Sequence, residues 1–316
     1  YDAVLRVKNE ATKMLAPGVL WHEYHQEVGK VMTSELIGLG LLGSAIASRL
    51  SPGNQQLHGF DIDPAKRESA NSAGVSCHIS AMEVARLADV IILSLPEDRH
   101  VDEVLAIIRP SLKPHCIILD TTTGDPECCE RRLKDLSALG VSYLDCTVAG
   151  SSELLREGKA LLFVGGNAQA FEKVRPILDQ LAEKHFLIGA SGAGSRMKLV
   201  HNLALGMNRA VLAETLMFAK AMGLDQRNVL QVLMQSPAAS MVMQHKGAKM
   251  IERDFQPQAR LHQHAKDVRL ILDIAKTLEQ QLPLSQLHLQ LLEKVIQDGD
   301  GDLDNCAIIK AFEKGK

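Results

Sequence analysis

Residues 36–191 predict a doubly wound parallel α/β sheet, and residues 192–316 predict an all-α domain that begins with one long helix. Short apolar runs at 36–39, 57–61, 90–95, 116–120 and 142–145 alternate with helical stretches. That alternation implies parallel strands joined by crossover helices. After Gly194 the strand signal stops, and the remaining residues carry helical periodicity interrupted at Gly223, Pro237 and Pro283. A glycine-rich turn directly after the first apolar run fits the same architecture.

The apolar run places the first strand at 36–39, and the polar Thr33, Ser34 and Glu35 before it do not suit a strand buried on both faces. A helix over 44–50 follows the glycines. Beyond the run at 142–145, a further βα unit is expected, with strands at 160–164 and 185–187 around a helix over 168–183. Residues 1–35 stand apart as a helical extension, since Pro17-Gly18 separates two amphipathic stretches.

A chain of 316 residues is long enough for two domains, each with its own core. With 46% hydrophobic and 23% charged residues it is globular in composition. A net charge of -3 without a basic run excludes nucleic acid and anionic membrane surfaces as expected partners and leaves small molecules. No apolar stretch is long enough to span a bilayer, and the start carries no secretory pattern, so a cytoplasmic protein is expected. Six cysteines without CxxC spacing predict reduced thiols, and no metal is expected.

Gly38-Leu39-Gly40-Leu41-Leu42-Gly43 fits GxGxxG. The motif alone is weak, but here it lies between a strand and a helix, where the glycines permit a tight turn and the helix N-terminus faces a pyrophosphate. The predicted fold is therefore Rossmann-type. Asp61 follows about 20 residues later, the place of a carboxylate that binds a ribose 2′-hydroxyl. It favours NAD, with NADP admitted through Lys66 and Arg67. The bland alternative for Asp61 is an ordinary strand-end turn.

Val148-Ala149-Gly150-Ser151-Ser152 is read as a turn after the strand ending at Asp145, with backbone N–H groups and hydroxyls available to a carboxylate. Lys198 and Asn202 stand i and i+4 on the long helix, so an ammonium and an amide can converge on one substrate oxygen. A lysine enclosed by apolar surroundings has its pKa lowered towards neutrality, which suits general acid/base work. Surface exposure is the commoner fate of such a pair.

Taken in order, these motifs resemble the β-hydroxyacid dehydrogenase family, of the 3-hydroxyisobutyrate dehydrogenase and tartronate semialdehyde reductase type, over residues 36–316. Supporting motifs are Leu95-Pro96, Asp120-Thr121-Thr122-Thr123, Asp145-Cys146-Thr147-Val148-Ala149-Gly150-Ser151, Val164-Gly165-Gly166, Gly192 through Asn202, and His264-Ala265-Lys266-Asp267. The resemblance implies Lys198 as catalytic lysine and Asn202 as substrate-orienting amide. It implies Gly38, Leu39, Gly40, Leu41, Leu42, Gly43, Asp61, Leu95, Pro96, Thr122 and Lys266 at the cofactor, and Ala149, Gly150 and Ser151 at the substrate carboxylate.

It further implies a homo-oligomer that interconverts a small hydroxy acid and its semialdehyde, with substrate between the sheet and a helical domain that also dimerises. Ala149 stands where the family has serine, Ser151 where it has glycine, and Gln258-Ala259 where it has Gly-Phe. Two rival readings are a non-catalytic dinucleotide-binding module that recruits a partner, and a decarboxylating enzyme like 6-phosphogluconate dehydrogenase. Intact Lys198 and Asn202 weigh against the first, chain length and the lack of an arginine cluster against the second. Residues 1–42 separately resemble a helical stretch of aminopeptidase P, without that family's metal ligands.

Overall fold

The computed structural model describes residues 33–51 and 57–313. These divide into two compact units after Lys198. The expected N-terminal helical extension lies outside the described residues except for its last three positions, and Ser34 and Glu35 prove to be sheet.

The first unit contains a single eight-stranded sheet: β1 (Ser34–Ile37), β2 (His58–Phe60), β3 (Ser76–Cys77), β4 (Val90–Leu93), β5 (Ile117–Asp120), β6 (Ser142–Ala149), β7 (Leu161–Gly165) and β8 (Lys184–Gly189). Their order across the sheet is β3-β2-β1-β4-β5-β6-β7-β8. The helices between them are α1 (Leu41–Leu50), α2 (Pro64–Ser72), α3 (Ala81–Leu87), α4 (Asp98–Ile108), α5 (Pro126–Ser137), α6 (Ser152–Arg156) and α7 (Ala168–Leu181). Five of them start on a capping side chain, Asp63, Ser80, Asp125, Ser151 or Asn167, that accepts a backbone N–H of the first turn.

Side-chain alternation along the strands builds a core on each face. Leu36, Ile92, Leu119 and Leu144 pack with Ile46 of α1 and Phe171 and Val174 of α7. Their chain neighbours Ile37, Ile91, Ile118 and Tyr143 pack with Val84 of α3, Val101 and Ile108 of α4, and Leu136 of α5. Consecutive residues point to opposite faces, which is why these strands read as continuous apolar runs.

Three expectations need correction. Strand β1 begins at Ser34 and buries Glu35. Burial pushes the Glu35 carboxyl up to about 8, so it is largely neutral at neutral pH, and it accepts the His58 N–H at 2.9 Å. A polar residue thus fits a buried strand because it sheds its charge. Strand β6 runs on to Ala149, so Val148 and Ala149 are strand and not turn. Finally, β7 pairs with β6 antiparallel, with Asp145 opposite Gly165 and Ala149 opposite Leu161, whereas every other pairing in the sheet is parallel. The link from β6 to β7 through the five-residue α6 is too short for a parallel crossover.

Helix α8 (Ala193–Ala221) begins in the first unit and carries the chain into the second. There α9 (Gln226–Met234), α10 (Met241–Glu252), α11 (Leu261–Thr277) and α12 (Pro283–Val295) follow. Chain breaks fall at Gly223, which has φ +77°, near Pro237, and at Pro283 in the first turn of α12. Leu212, Leu216, Met250, Leu261, Val268 and Leu292 form the core with Cys306, Ile308 and Ile309 of the closing 3₁₀ segment Asn305–Phe312. None of the described helices is long and apolar enough to cross a membrane.

Candidate active site

The glycine loop lies between β1 and α1, as its spacing predicts, with Leu41, Leu42 and Gly43 already inside the helix. Gly38 has φ +99°, and a Cβ there would stand 2.2 Å from the Ser94 carbonyl oxygen. A Cβ on Gly43 would stand 1.9 Å from the Gly38 carbonyl oxygen. These two glycines answer to the protein itself. Gly40 differs, because a Cβ there meets nothing within 4 Å. That open backbone at a helix N-terminus is what close approach by a pyrophosphate requires, so the residues fit a dinucleotide.

Asp61, at the end of β2, is buried and engaged. Its Oδ2 accepts the Leu39 N–H at 2.7 Å, its Oδ1 accepts the Asp63 N–H at 2.9 Å, and Lys66 Nζ stands 3.7 Å from Oδ1. A carboxylate has about four lone-pair positions, so acceptor capacity is left for ribose hydroxyls while the loop is held to the strand end. Arg67 Nη1 donates to the Asp61 and Ile62 carbonyl oxygens.

Thr122 is buried at the end of β5. Its N–H donates to Asp120 Oδ1 at 2.9 Å, and its hydroxyl accepts the Leu95 N–H at 3.3 Å. Leu95 is half-buried and Pro96 exposed. The loop 38–43, Asp61, Leu95, Pro96 and Thr122 therefore share the carboxyl ends of β1, β2, β4 and β5, where open α/β sheets take ligands.

At the end of β6, Ala149 is buried and Gly150 has φ +148°. Ser151 Oγ accepts the Leu154 N–H at 3.2 Å as the cap of α6, which leaves its O–H as a donor. Lys198 is 8% exposed, and its Nζ donates to the Val148 carbonyl oxygen at 2.7 Å. The ammonium thus stands beside the strand that leads into the Gly150 turn.

In the second unit, the Asn202 amide donates to Asp267 Oδ2 at 2.9 Å, and Lys266 Nζ lies 3.2 Å from Asp267 Oδ1. Asp267 follows Lys266 in the chain, and its hold on Asn202 is a contact across 65 residues that spacing does not reveal. The departure at Gln258-Ala259 is pinned by Asp304, whose Oδ2 accepts both backbone N–H groups.

Comparison with known proteins bears on the family and the cofactor. Residues 34–189 match the NAD binding domain of 6-phosphogluconate dehydrogenase, and residues 192–312 match the NAD-binding domain of NADP-dependent 3-hydroxyisobutyrate dehydrogenase. The chain is 32% identical to 2-hydroxy-3-oxopropionate reductase of Escherichia coli, over 88% of its length and 96% of that protein. The chain belongs to the β-hydroxyacid dehydrogenase family. It is 28% identical to 2-(hydroxymethyl)glutarate dehydrogenase of Eubacterium barkeri, over 88% and 94% of the two chains. A crystal structure of 3-hydroxyisobutyrate dehydrogenase from Salmonella typhimurium superposes with a TM-score of 0.81 at 25% identity, covering 88% of this chain and 98% of that one. With the family come an NAD(P)-dependent oxidoreductase and a nicotinamide dinucleotide as cofactor.

Proposed function

We propose that the protein interconverts a small β-hydroxy acid and its semialdehyde, with Lys198 as the proton-transfer residue. The observation that carries this reading is the buried Lys198 Nζ, hydrogen-bonded to a carbonyl oxygen of β6 two residues before Gly150. Gly38, Gly40, Gly43, Asp61 and Thr122 would hold the dinucleotide. When bound, its nicotinamide supplies the hydride acceptor for oxidation and the donor for reduction.

The chain's own residues do the rest. In oxidation Lys198 Nζ takes the hydroxyl proton, and in reduction its ammonium gives a proton to the developing alkoxide. Backbone N–H groups at Gly150 and Ser151 bind the substrate carboxylate, and the Asn202 amide, its orientation fixed by Asp267, holds the reacting oxygen. Because Asp61 puts a carboxylate at the ribose position, NAD is the preferred cofactor, and a 2′-phosphate would have to rely on Lys66. Similarity to 2-hydroxy-3-oxopropionate reductase makes short hydroxylated semialdehydes the first substrates to try.

Replacing Lys198 with Ala should lower kcat for semialdehyde reduction by roughly 10²- to 10⁴-fold, the usual worth of a general acid. Absorbance at the reduced-nicotinamide band gives the rate. Undiminished turnover of the variant across a panel of semialdehydes would end the proposal.

A further inference from the structure

Strand β6 holds the start of α8 at three separate points. Asp145, only 1% exposed, accepts the Gly192 N–H at 2.7 Å on Oδ1 and the Ser195 N–H at 2.8 Å on Oδ2. Two residues on, the Thr147 hydroxyl donates to the Gly194 carbonyl oxygen at 3.1 Å. One residue further, the Val148 carbonyl accepts the Lys198 ammonium.

This seat explains two glycine motifs that dinucleotide binding does not use. Gly165 lies opposite Asp145 in the antiparallel β6·β7 pair, and a Cβ there would come within 2.6 Å of Asp145 Oδ1 and 2.7 Å of the Gly194 nitrogen. A Cβ on Gly194 would come within 2.6 Å of the Phe163 carbonyl oxygen and 2.8 Å of the Asp145 carbonyl oxygen. Both positions are bare, and the helix start can therefore press into the notch between the strands. The reversal of β7 is what puts Gly165 there.

We propose that Asp145 is a positioning residue for Lys198: by binding the first turn of α8 it fixes where the amine stands relative to the Gly150 turn. Helix α8 advances about 4.5 Å between Ser195 and Lys198, so an anchor at the first and a hydrogen bond at the second leave the side chain little freedom. Asp145 is buried, with an N–H of the helix start on each carboxylate oxygen, so its effect on substrate runs through the helix it holds. Its place in a substrate-binding motif follows from what it does to the helix opposite.

The inference rests on Lys198 as the proton-transfer residue, and a double-mutant cycle separates the two claims. In the full chain, Asp145→Asn keeps the shape but turns one acceptor into a donor facing an N–H. It should lower kcat about 10²-fold, the scale of a misplacement near 1 Å, while the Kd for reduced dinucleotide, read by fluorescence, stays unchanged. In a Lys198→Ala background the same substitution should alter the residual rate by less than about threefold, since the group it positions is gone.

A native kcat in Asp145→Asn, or an equal loss in both backgrounds, overturns the inference. Native turnover in Lys198→Ala alone instead removes the functional reading beneath it. Should Asp145→Asn not fold, the isosteric Thr147→Val, which cuts one of the three holds, is judged by the same two criteria with a loss of about tenfold.

Discussion

Each unit buries one arginine among its described residues, and the two surroundings are opposite in kind. Arg132, on α5 in the first unit, is 4% exposed. Its Nε donates to Asp102 Oδ1 at 2.7 Å, its Nη1 to Asp98 Oδ1 at 2.8 Å, its Nη2 to the Asp98 carbonyl oxygen at 2.9 Å, and Asp120 Oδ2 lies 3.7 Å away. Burial alone would lower its pKa, but its contacts, Asp102 foremost, more than reverse that and hold the guanidinium well above its ordinary range.

Arg209, on α8 in the second unit, is 3% exposed, and its Nη1 has no hydrogen-bond partner. Burial lowers it to about 10, and Asp304 and Asp267 offset that only in part. Nearby, His288 is buried with neither ring nitrogen hydrogen-bonded, and burial together with Arg209 lowers it to about 4. In the first unit Arg132 is fixed by direct contact, and the Asp120 beside it also accepts the Thr122 N–H. The second carries charge that long-range attraction balances incompletely. A buried charge is evidence of stabilisation only where its hydrogen bonds are made.

The largest expected effect in this contrast comes from Arg132→Leu. It leaves Asp98 and the fully buried Asp120 without their cation, and the loss in chemical denaturation should be about 3–5 kcal/mol. Arg209→Met should go the other way, raising stability by about 1–3 kcal/mol, because an apolar chain of similar volume removes an incompletely paired charge. A destabilised Arg209→Met protein would show that its partners are better than their geometry suggests and would break the comparison.

The third effect is a pH dependence. His288 titrates near 6.5 when unfolded and at about 4 in the fold, so below 6.5 the unfolded chain binds the extra proton. Its contribution is complete above pH 6.5 and is lost progressively as pH falls through 4, by about 3 kcal/mol in all at 1.36 kcal/mol per unit. Denaturation at pH 7 and pH 4.5 should show this slope in the native chain and a shallower one in Arg209→Met, where the second cause of the shift is absent.

Local signals made most of the fold legible. Alternating runs and helices, the glycine loop at 38–43 and the breaks at Gly223 and Pro283 are each set within a few neighbouring residues. What stayed hidden depends on contacts distant in the chain. The direction of β7 is absent from its apolar composition, and Val148 and Ala149 read as turn because their neighbours Gly150 and Ser151 do. Glu35 looked unfit for a strand because its proton is invisible in sequence. Lys198, Asn202 and Thr122 stand out in their motifs, whereas their contacts with Val148, Asp267 and Asp120 cannot be read from spacing.

The three glycines of the cofactor loop answer to different masters. Any side chain at 38 or 43 collides with the protein's own backbone, so variation there is judged by folding before any ligand arrives. Position 40 faces vacant space on the protein side. If the loop binds the dinucleotide as proposed, affinity can drift at that one site while conformational stability stays put, a dial for cofactor grip that does not endanger the scaffold.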